Sequence, residues 1–388
     1  MQIYDYIILG GGAAGLSLAY MMNKDPFFLN KKIVIFEKEQ KNTNDRTWSY
    51  WESNKGSWDH LLTKKWRTIH FAGSGYDQRI DIQPYTYKCI RSSDFYDDVN
   101  NELNENTSIE IRREEVIRCK DVGNLVEVVT KKGQYKGLKV FSSISFQNYY
   151  KKQQTFPVLN QHFIGWFIKV NKPIFTDDVA TFMDFNIPQK GNTRFMYILP
   201  FSKTEALFEY TLFSESLLPR EEYESEIKAY LNKIRIIDYS ITEKEQGCIP
   251  MTSYDFAQHN TNNLIFIGTV GGWTKASTGF TFQNTMNKNR ELLSFLKQST
   301  VNFKKFNKKN RFWLYDLLFL DVLYQKNERG AELFTKLFQR NKPTVILKFL
   351  EEKTNFWEEL KIMSSMPSGL FTATLLKRIL RVKKRFLL

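Results

Sequence analysis

Gly10-Gly11-Gly12-Ala13-Ala14-Gly15 decides the fold. It carries the spacing G-x-G-x-x-G between an apolar run at residues 3–9 and a helical pattern at 13–23. In a strand–turn–helix setting, Gly10 permits the tight turn, Gly12 leaves room for a pyrophosphate, and Gly15 lets helix and strand pack closely. The helix N-terminus, from Ala13 and Ala14, supplies N–H donors and positive potential. A second apolar run at 33–36 ends in Glu37, placed to accept the hydroxyls of a ribose. The reading is an α/β chain that opens with a Rossmann-type dinucleotide-binding unit.

Working outward, residues 92–103 read as a helix, and 110–113, 125–129 and 139–146 as short strands. The stretches 163–170, 194–199 and 207–213 are β-like and separated by Pro and Gly signals. A charged helix is expected at 220–235, a strand at 264–267 and a helix near 279–297. From 301 on the patterns are helical, with Pro343 and Pro367 where new helices start. The expected domains are a dinucleotide unit at 1–150 and 246–300, an inserted β-rich substrate domain at 151–245, and a helical C-terminal region at 301–388. The glycine motif lies at the start of a long chain that holds no second one, which favours FAD over a nicotinamide cofactor.

The 388 residues carry a formal net charge of +14, so an anionic partner is expected. Aromatic residues reach 15%, enough to wall a large apolar ligand as well as fill a core. Three cysteines without a CxxC exclude a disulfide framework and a zinc ribbon, and no metal site is expected. The start does not read as a signal peptide. No uncharged apolar run reaches the roughly 18 residues of a membrane span.

Asp45-Arg46-Thr47-Trp48-Ser49-Tyr50-Trp51 follows the second strand. Further along stand Phe182-Met183-Asp184, Leu199-Pro200-Phe201-Ser202, Phe208-Glu209-Tyr210-Thr211, Ile249-Pro250-Met251 and Ser277-Thr278-Gly279-Phe280. In content and order these segments resemble the signatures of the lycopene cyclases. Three positions differ from the family pattern: Tyr210 replaces an acid, Trp273-Thr274-Lys275-Ala276 stands where many relatives carry His-Pro, and Ile267-Gly268-Thr269 lacks an acid common in flavoproteins. The resemblance implies a lycopene β-cyclase. Such an enzyme is a flavoprotein isomerase of carotenoid biosynthesis that closes the ψ-ends of lycopene to β-ionone rings, giving γ-carotene and then β-carotene. It implies reduced FAD, with NAD(P)H as reductant, and no net redox change.

Cyclising an acyclic end requires a carboxylic acid that stays protonated, an electron-rich wall for a carbocation, and exclusion of water. Glu209 answers the first need. Residues 205–213 alternate with apolar side chains on both faces, so the strand is buried on both sides and an anion there is disfavoured. Its plainer role is a buried carboxylate paired with Arg or Lys. Asp184 is the second candidate acid; its plainer role is a turn cap before Pro188. Trp48, Tyr50, Trp51, Phe182, Phe208 and Tyr210 are expected to wall the substrate tunnel. Asp45 and Arg46 are expected to order a loop near the flavin. Gly268, Gly271, Gly272, Thr278 and Gly279 precede a helix whose N-terminus would favour an anionic reduced flavin.

The last thirteen residues interleave Lys377, Arg378, Arg381, Lys383, Lys384 and Arg385 with Leu376, Ile379, Leu380, Phe386 and Leu387. This pattern suggests an interfacial helix on anionic lipid, from which lycopene would be collected at the cytoplasmic side of a membrane. No nucleic-acid recognition motif is present. The competing functions are an FAD-dependent monooxygenase or prenyl reductase acting on a membrane isoprenoid, and a carotenoid-binding protein without catalysis.

Overall fold

The computed structural model describes residues 3–41, 43–306 and 309–386, with side chains described through residue 380. The chain opens with β1 (Ile3–Leu9), α1 (Ala13–Lys24) and β2 (Ile33–Glu37). Next come β3 (Thr47–Glu52), β4 (Lys64–Trp66), β5 (Thr68–Gly73), β6 (Tyr76–Asp81) and β7 (Thr86–Arg91). They are followed by α2 (Ser92–Asn104), β8 (Ile109–Arg113), β9 (Val116–Asp121), β10 (Val126–Thr130) and β11 (Gln134–Ser142). A single turn, α3 (Tyr149–Lys152), leads into β12 (Leu159–Lys169), β13 (Val179–Asp184), β14 (Arg194–Pro200) and β15 (Glu205–Ser214). Then come α4 (Arg220–Lys233), β16 (Ser240–Met251), β17 (Leu264–Phe266) and α5 (Phe282–Leu296). The chain closes with α6 (Arg311–Gln325), α7 (Gly330–Arg340), α8 (Pro343–Leu350), α9 (Phe356–Ser365) and α10 (Ser368–Phe386).

The first sheet runs β8-β2-β1-β11-β10-β9, with β17 also on β11. Strands β8, β2, β1, β11 and β17 are parallel neighbours, and β9 and β10 add an antiparallel flap. β1 and β2 read as continuous apolar runs because both of their faces are buried. Ile8, Ile33 and Ile35 pack under the helices α1, α2 and α5, while Ile7, Leu9, Val34 and Phe36 pack against the flap. Leu16, Ala19 and Met22 of α1 meet Met286 and Leu293 of α5 in the first of these cores. The N-terminus of α1 is thereby fixed at the carboxyl end of β1, where this topology binds nucleotides.

The second sheet runs β16-β12-β15-β14-β13-β5-β6 and is antiparallel except where β13 meets β5. One face lies under α4, where Trp166, Phe208, Tyr210 and Leu212 pack on Tyr223, Ile227 and Leu231. The other face carries Phe182, Phe195, Leu207 and Phe213 and packs against the C-terminal helices. Rings stack across that junction: Phe71 on Phe338 at 4.0 Å and Phe185 on Phe334 at 5.8 Å between centroids. A small sheet, β3-β7-β4, lies alongside.

The expected domain joins need two corrections. β5 and β6, placed by sequence in the dinucleotide unit, complete the second sheet through β13. β16 continues to Met251, past the expected join at 245, because it pairs with β12 along its whole length. Residues 47–52, to which sequence reading assigns no element, form a strand paired with β7. In the C-terminal region Arg378 binds Asp321 of α6 with two guanidinium nitrogens, so it tethers α10 rather than facing outward. Leu376, Ile379 and Leu380 are exposed. Arg381, Lys383, Lys384, Arg385, Phe386 and Leu387 lie outside the described side chains. No helix among the described residues is long and apolar enough to cross a membrane.

Candidate active site

A cleft of about 250 Å³ lies between the dinucleotide unit and the face of the second sheet turned away from α4. Glu209 sits in its wall. Alternation along β15 sends Leu207, Glu209 and Thr211 to this side and Phe208, Tyr210 and Leu212 beneath α4. Glu209 is only 7% exposed, and Thr211 Oγ1 donates a hydrogen bond of 2.6 Å to its Oε1. Burial, reinforced by the charge of Glu245, pushes its pKa up to about 8. No Lys or Arg is bonded to it among the described residues, which removes the plainer reading of a buried ion pair.

Glu245 is the partner that sequence reasoning missed. Gly165 on β12 stands opposite Glu209 on one side and Glu245 on the other. Residues directly opposed across strands share a face, so the two carboxyls flank a position that has no side chain. A Cβ at Gly165 would lie 3.2 Å from Cγ of Glu245 and 3.6 Å from Cβ of Glu209. Thr47 Oγ1 donates to Glu245 Oε2 at 2.7 Å. Burial pushes Glu245 up to about 7, against the pull of Thr47 and Arg91. In sequence, the stretch from Ser240 to Glu245 is dominated by polar and charged side chains and reads as a solvated edge. Only its alternation could have indicated an inner face.

The remaining wall is aromatic. Phe182 stacks on Phe280 at 6.0 Å, and Trp51 meets the same ring edge-on at 4.4 Å. Trp48 stacks on Phe282 at 5.1 Å, and Tyr50, outside the cleft lining, packs on the same ring at a tilt. Tyr87 and Tyr197, also unforeseen, line the cleft and share a 2.7 Å hydrogen bond; burial pushes both phenols up. Such π-rich surfaces attract positive charge.

Five residues expected here do not line the cleft: Tyr50 and Trp51 are buried in the cores beside it, and the other three point away. Phe208 and Tyr210 are on the opposite face of β15, where the Tyr210 hydroxyl accepts from Arg194 Nη1 at 3.0 Å. Asp184 also turns toward α4: it accepts from the Tyr230 hydroxyl at 2.7 Å and from the Asn186 amide at 2.9 Å. A bulge in β13 between Thr181 and Asp184 shifts the parity, so that Phe182 and Met183 reach the cleft and Asp184 does not. Asp184 is a buried turn cap, not an acid of this site.

The glycine turn has the local geometry that a nucleotide cradle needs. Gly10 has φ +97°, and a Cβ at Gly15 would lie 2.1 Å from the Gly10 carbonyl oxygen. A side chain at Gly12 would meet no protein atom within 4 Å, so this edge of the turn is open. α1 starts without a side-chain cap and without an acid in its first turn, leaving its N–H donors for an anion. Glu37 accepts from the Gly11 amide at 2.6 Å and the Glu39 amide at 3.0 Å, which fixes its carboxylate beside the turn. Gly268, at φ +61°, brings the β17 turn against Ala14. Gly271 and Gly272 continue that turn: a Cβ at Gly271 would lie 2.2 Å from the Phe266 carbonyl, and Gly272 has φ +73°.

Arg46, Thr269, Thr278, Gly279 and Thr281 border the cleft on this side, and α5 starts at Phe282. Gln161 Oε1 and Thr278 Oγ1 are buried there without a hydrogen-bond partner among the described residues. Free N–H donors at the start of α1, an acid beside the turn, and unpaired polar atoms at the cleft fit the groups of an FAD. Asp45, held below the usual carboxylate range by Lys41, Ser92 and Tyr96 despite its burial, braces the strand that carries Trp48. Lys275, just before the Ser277–Gly279 turn, is buried between Asp316 and Glu352 at 3.0 Å each and ties that turn to the helical region.

The same architecture occurs in solved flavoprotein structures at low identity. A geranylgeranyl bacteriochlorophyll reductase-like protein from Thermoplasma acidophilum is 10% identical, with a TM-score of 0.61 over 96% of this chain and 98% of that one. A flavoprotein/dehydrogenase from Cytophaga hutchinsonii is 11% identical, with a TM-score of 0.63 over 97% and 100%. A flavin-dependent brominase is 13% identical, with a TM-score of 0.59 over 99% and 100%. These likenesses show the fold. No curated protein matches the sequence. The family described as lycopene cyclase protein matches residues 5–375. With nearly the whole length matched, the chain belongs to the lycopene cyclase family.

Proposed function

We propose that this chain is a lycopene β-cyclase that binds FAD and isomerises the ψ-ends of lycopene to β-ionone rings. The observation that carries the proposal is Glu209: a carboxyl without a cationic partner, buried in an aromatic cleft that adjoins the nucleotide cradle. In the proposed reaction Glu209 gives its proton to a terminal double bond. The neighbouring double bond closes the ring, and the resulting cation faces Phe182, Phe280 and Trp48. Loss of a different ring proton leaves an isomer of unchanged mass. The substrate, filling the cleft, would have to displace water that would otherwise trap the cation as an alcohol. FAD, held by Gly10–Gly15 and Glu37 and reduced by NAD(P)H, would supply an electron-rich ring beside that cation.

A second cavity of about 440 Å³ supports a long hydrocarbon substrate. It lies among the C-terminal helices, is lined by Phe319, Phe334, Leu337, Ile362 and Phe371, and adjoins the cleft at Thr278. Exposed Phe356, Trp357 and Leu360 on α9, with Leu376 and Leu380 on α10, suit contact with the cytoplasmic surface of a membrane from which lycopene is drawn. The basic residues of the tail would hold anionic lipid there.

The test is expression in lycopene-accumulating cells followed by chromatography and mass measurement. Cyclic products of unchanged mass are expected from the wild type and none from E209Q with its flavin bound. A product heavier by one oxygen, or by two hydrogens, would favour the monooxygenase or prenyl reductase that this fold also accommodates.

A further inference from the structure

We propose that Glu245 is the base of the ring closure: it takes the proton that leaves the ring and returns it to Glu209. This rests on the cyclase reading and adds to it the residue that decides where the new double bond forms. Gly165 places the two carboxyls in one row across three strands, projecting from the same face into the same cleft. Neighbouring strands lie about 4.8 Å apart, so the two backbones are about 10 Å apart with only hydrogen at the position between them. Leu207 Cδ1 covers that position, 2.8 Å from where a Cβ of Gly165 would stand, so the end of a chain would lie over Leu207 with one carboxyl on either side. Once Glu209 has given its proton it is itself a carboxylate, so the case for a second residue is one of position: Glu245 stands across the row from it, and two acids sharing one site ionise in succession.

The surroundings divide the roles. Glu209 faces Thr211 on its own strand, Tyr87 and Tyr197 from β7 and β14, and Glu245; none of these is a cation. Glu245 accepts from Thr47 and has Arg46 and Arg91 nearby on its β3 and β7 sides, with Glu243 on its own strand. Arg91 is itself bonded to Glu243, and Glu243 also accepts from Asn44. Glu245 is therefore the member held as the anion, and Glu209 the member held as the acid.

The step balances. The Glu209 O–H bond breaks and its proton forms a C–H bond at the terminal double bond. The electrons of the second double bond form the ring C–C bond. A C–H bond beside the cation then breaks, its electron pair becomes the ring double bond, and its proton goes to Glu245. Transfer from Glu245 to Glu209 resets the site with no oxidant or reductant consumed.

The experiment compares wild type, E245Q, E245D and E209Q in lycopene-accumulating cells and as purified holoenzymes, with flavin content, thermal midpoint, ring type and pH profile recorded. E245Q is expected to bind flavin and to slow cyclisation by at least about 100-fold, the order of a lost general base. Its residual product is expected to carry the double bond at other ring positions, and E245D to restore β rings. Removing the Glu245 charge is also expected to move the alkaline limb of activity toward lower pH, because that charge helps keep Glu209 protonated. If E245Q makes only β rings at the wild-type rate and with the wild-type profile, the proposal is overturned. Should E245Q fail to fold, E245M, which fills the same buried space without a carboxyl, decides: unchanged β rings at the wild-type rate overturn it. A wild type that leaves lycopene acyclic overturns the cyclase reading itself. Cyclisation by wild type but not by E209Q, with E245Q normal, removes only the base.

Discussion

Replacing Glu209 by Gln should make the protein more stable while abolishing its chemistry, and the size of the effect follows from its burial. The carboxyl is raised from the ordinary 4.5 to about 8 in the fold, first by desolvation and then by Glu245. A group whose folded pKa exceeds its unfolded value destabilises the fold progressively as pH rises between the two. At about 1.4 kcal/mol per pH unit, the penalty grows from zero near pH 4.5 to about 3 kcal/mol at pH 7 and about 5 kcal/mol above pH 8. These are upper limits, since water entering the cleft would hydrate the charge. A Gln keeps the shape and still accepts from Thr211, but has no charge to lose. The midpoint temperatures of wild type and E209Q should therefore coincide near pH 5 and separate in favour of the variant by several degrees at pH 8.5. Differential scanning calorimetry of flavin-loaded protein across this range measures the gap. Wild-type cyclisation should decline above about pH 8 as Glu209 ionises, and E209Q should show none at any pH. Two proteins that melt together at every pH would mean that Glu209 is not held protonated by the fold, and the general-acid role would fall with it.

Other perturbations separate parts of the site. Gly12→Ala adds a methyl that meets no protein atom, so the thermal midpoint should stay put while flavin absorbance is lost on purification. Gly15→Ala drives a methyl into the Gly10 carbonyl and should lose the flavin together with about 3 kcal/mol of stability in chemical denaturation. Lys275→Met strands Asp316 and Glu352 and should cost about 3–5 kcal/mol, part of which Asp316→Leu in the same chain should recover. Tyr210→Phe removes one of the acceptors around Arg194, which keeps Glu222 and Asn192. It should cost about 1 kcal/mol and leave cyclisation unchanged, because the ring lies beneath α4.

What could be read from sequence was local. The glycine turn and Glu37 lie within one βαβ unit, so spacing alone fixed their geometry. The two-sided apolar run around Glu209 announced a buried acid because alternation is a property of a single strand. The failures are all questions of register. Asp184 was misplaced because one extra residue in β13 reversed the parity of everything after it, and no spacing rule marks a bulge. Phe208 and Tyr210 were put in the cleft by proximity to Glu209, although neighbours along a strand point to opposite faces. Glu245 and Lys275 were invisible for a related reason. Each becomes a buried group only after distant segments pair: β16 along β12, and the Lys275 turn against Asp316 and Glu352. Charged side chains inside a strand such as β16 look solvated until that pairing brings a glycine beside them. An acid foretold by alternation and a second acid created by register thus converge on one row of the sheet, with Gly165 between them. In the proposed reaction that row matters more than any single motif, since it sets a proton donor on one side and an acceptor on the other.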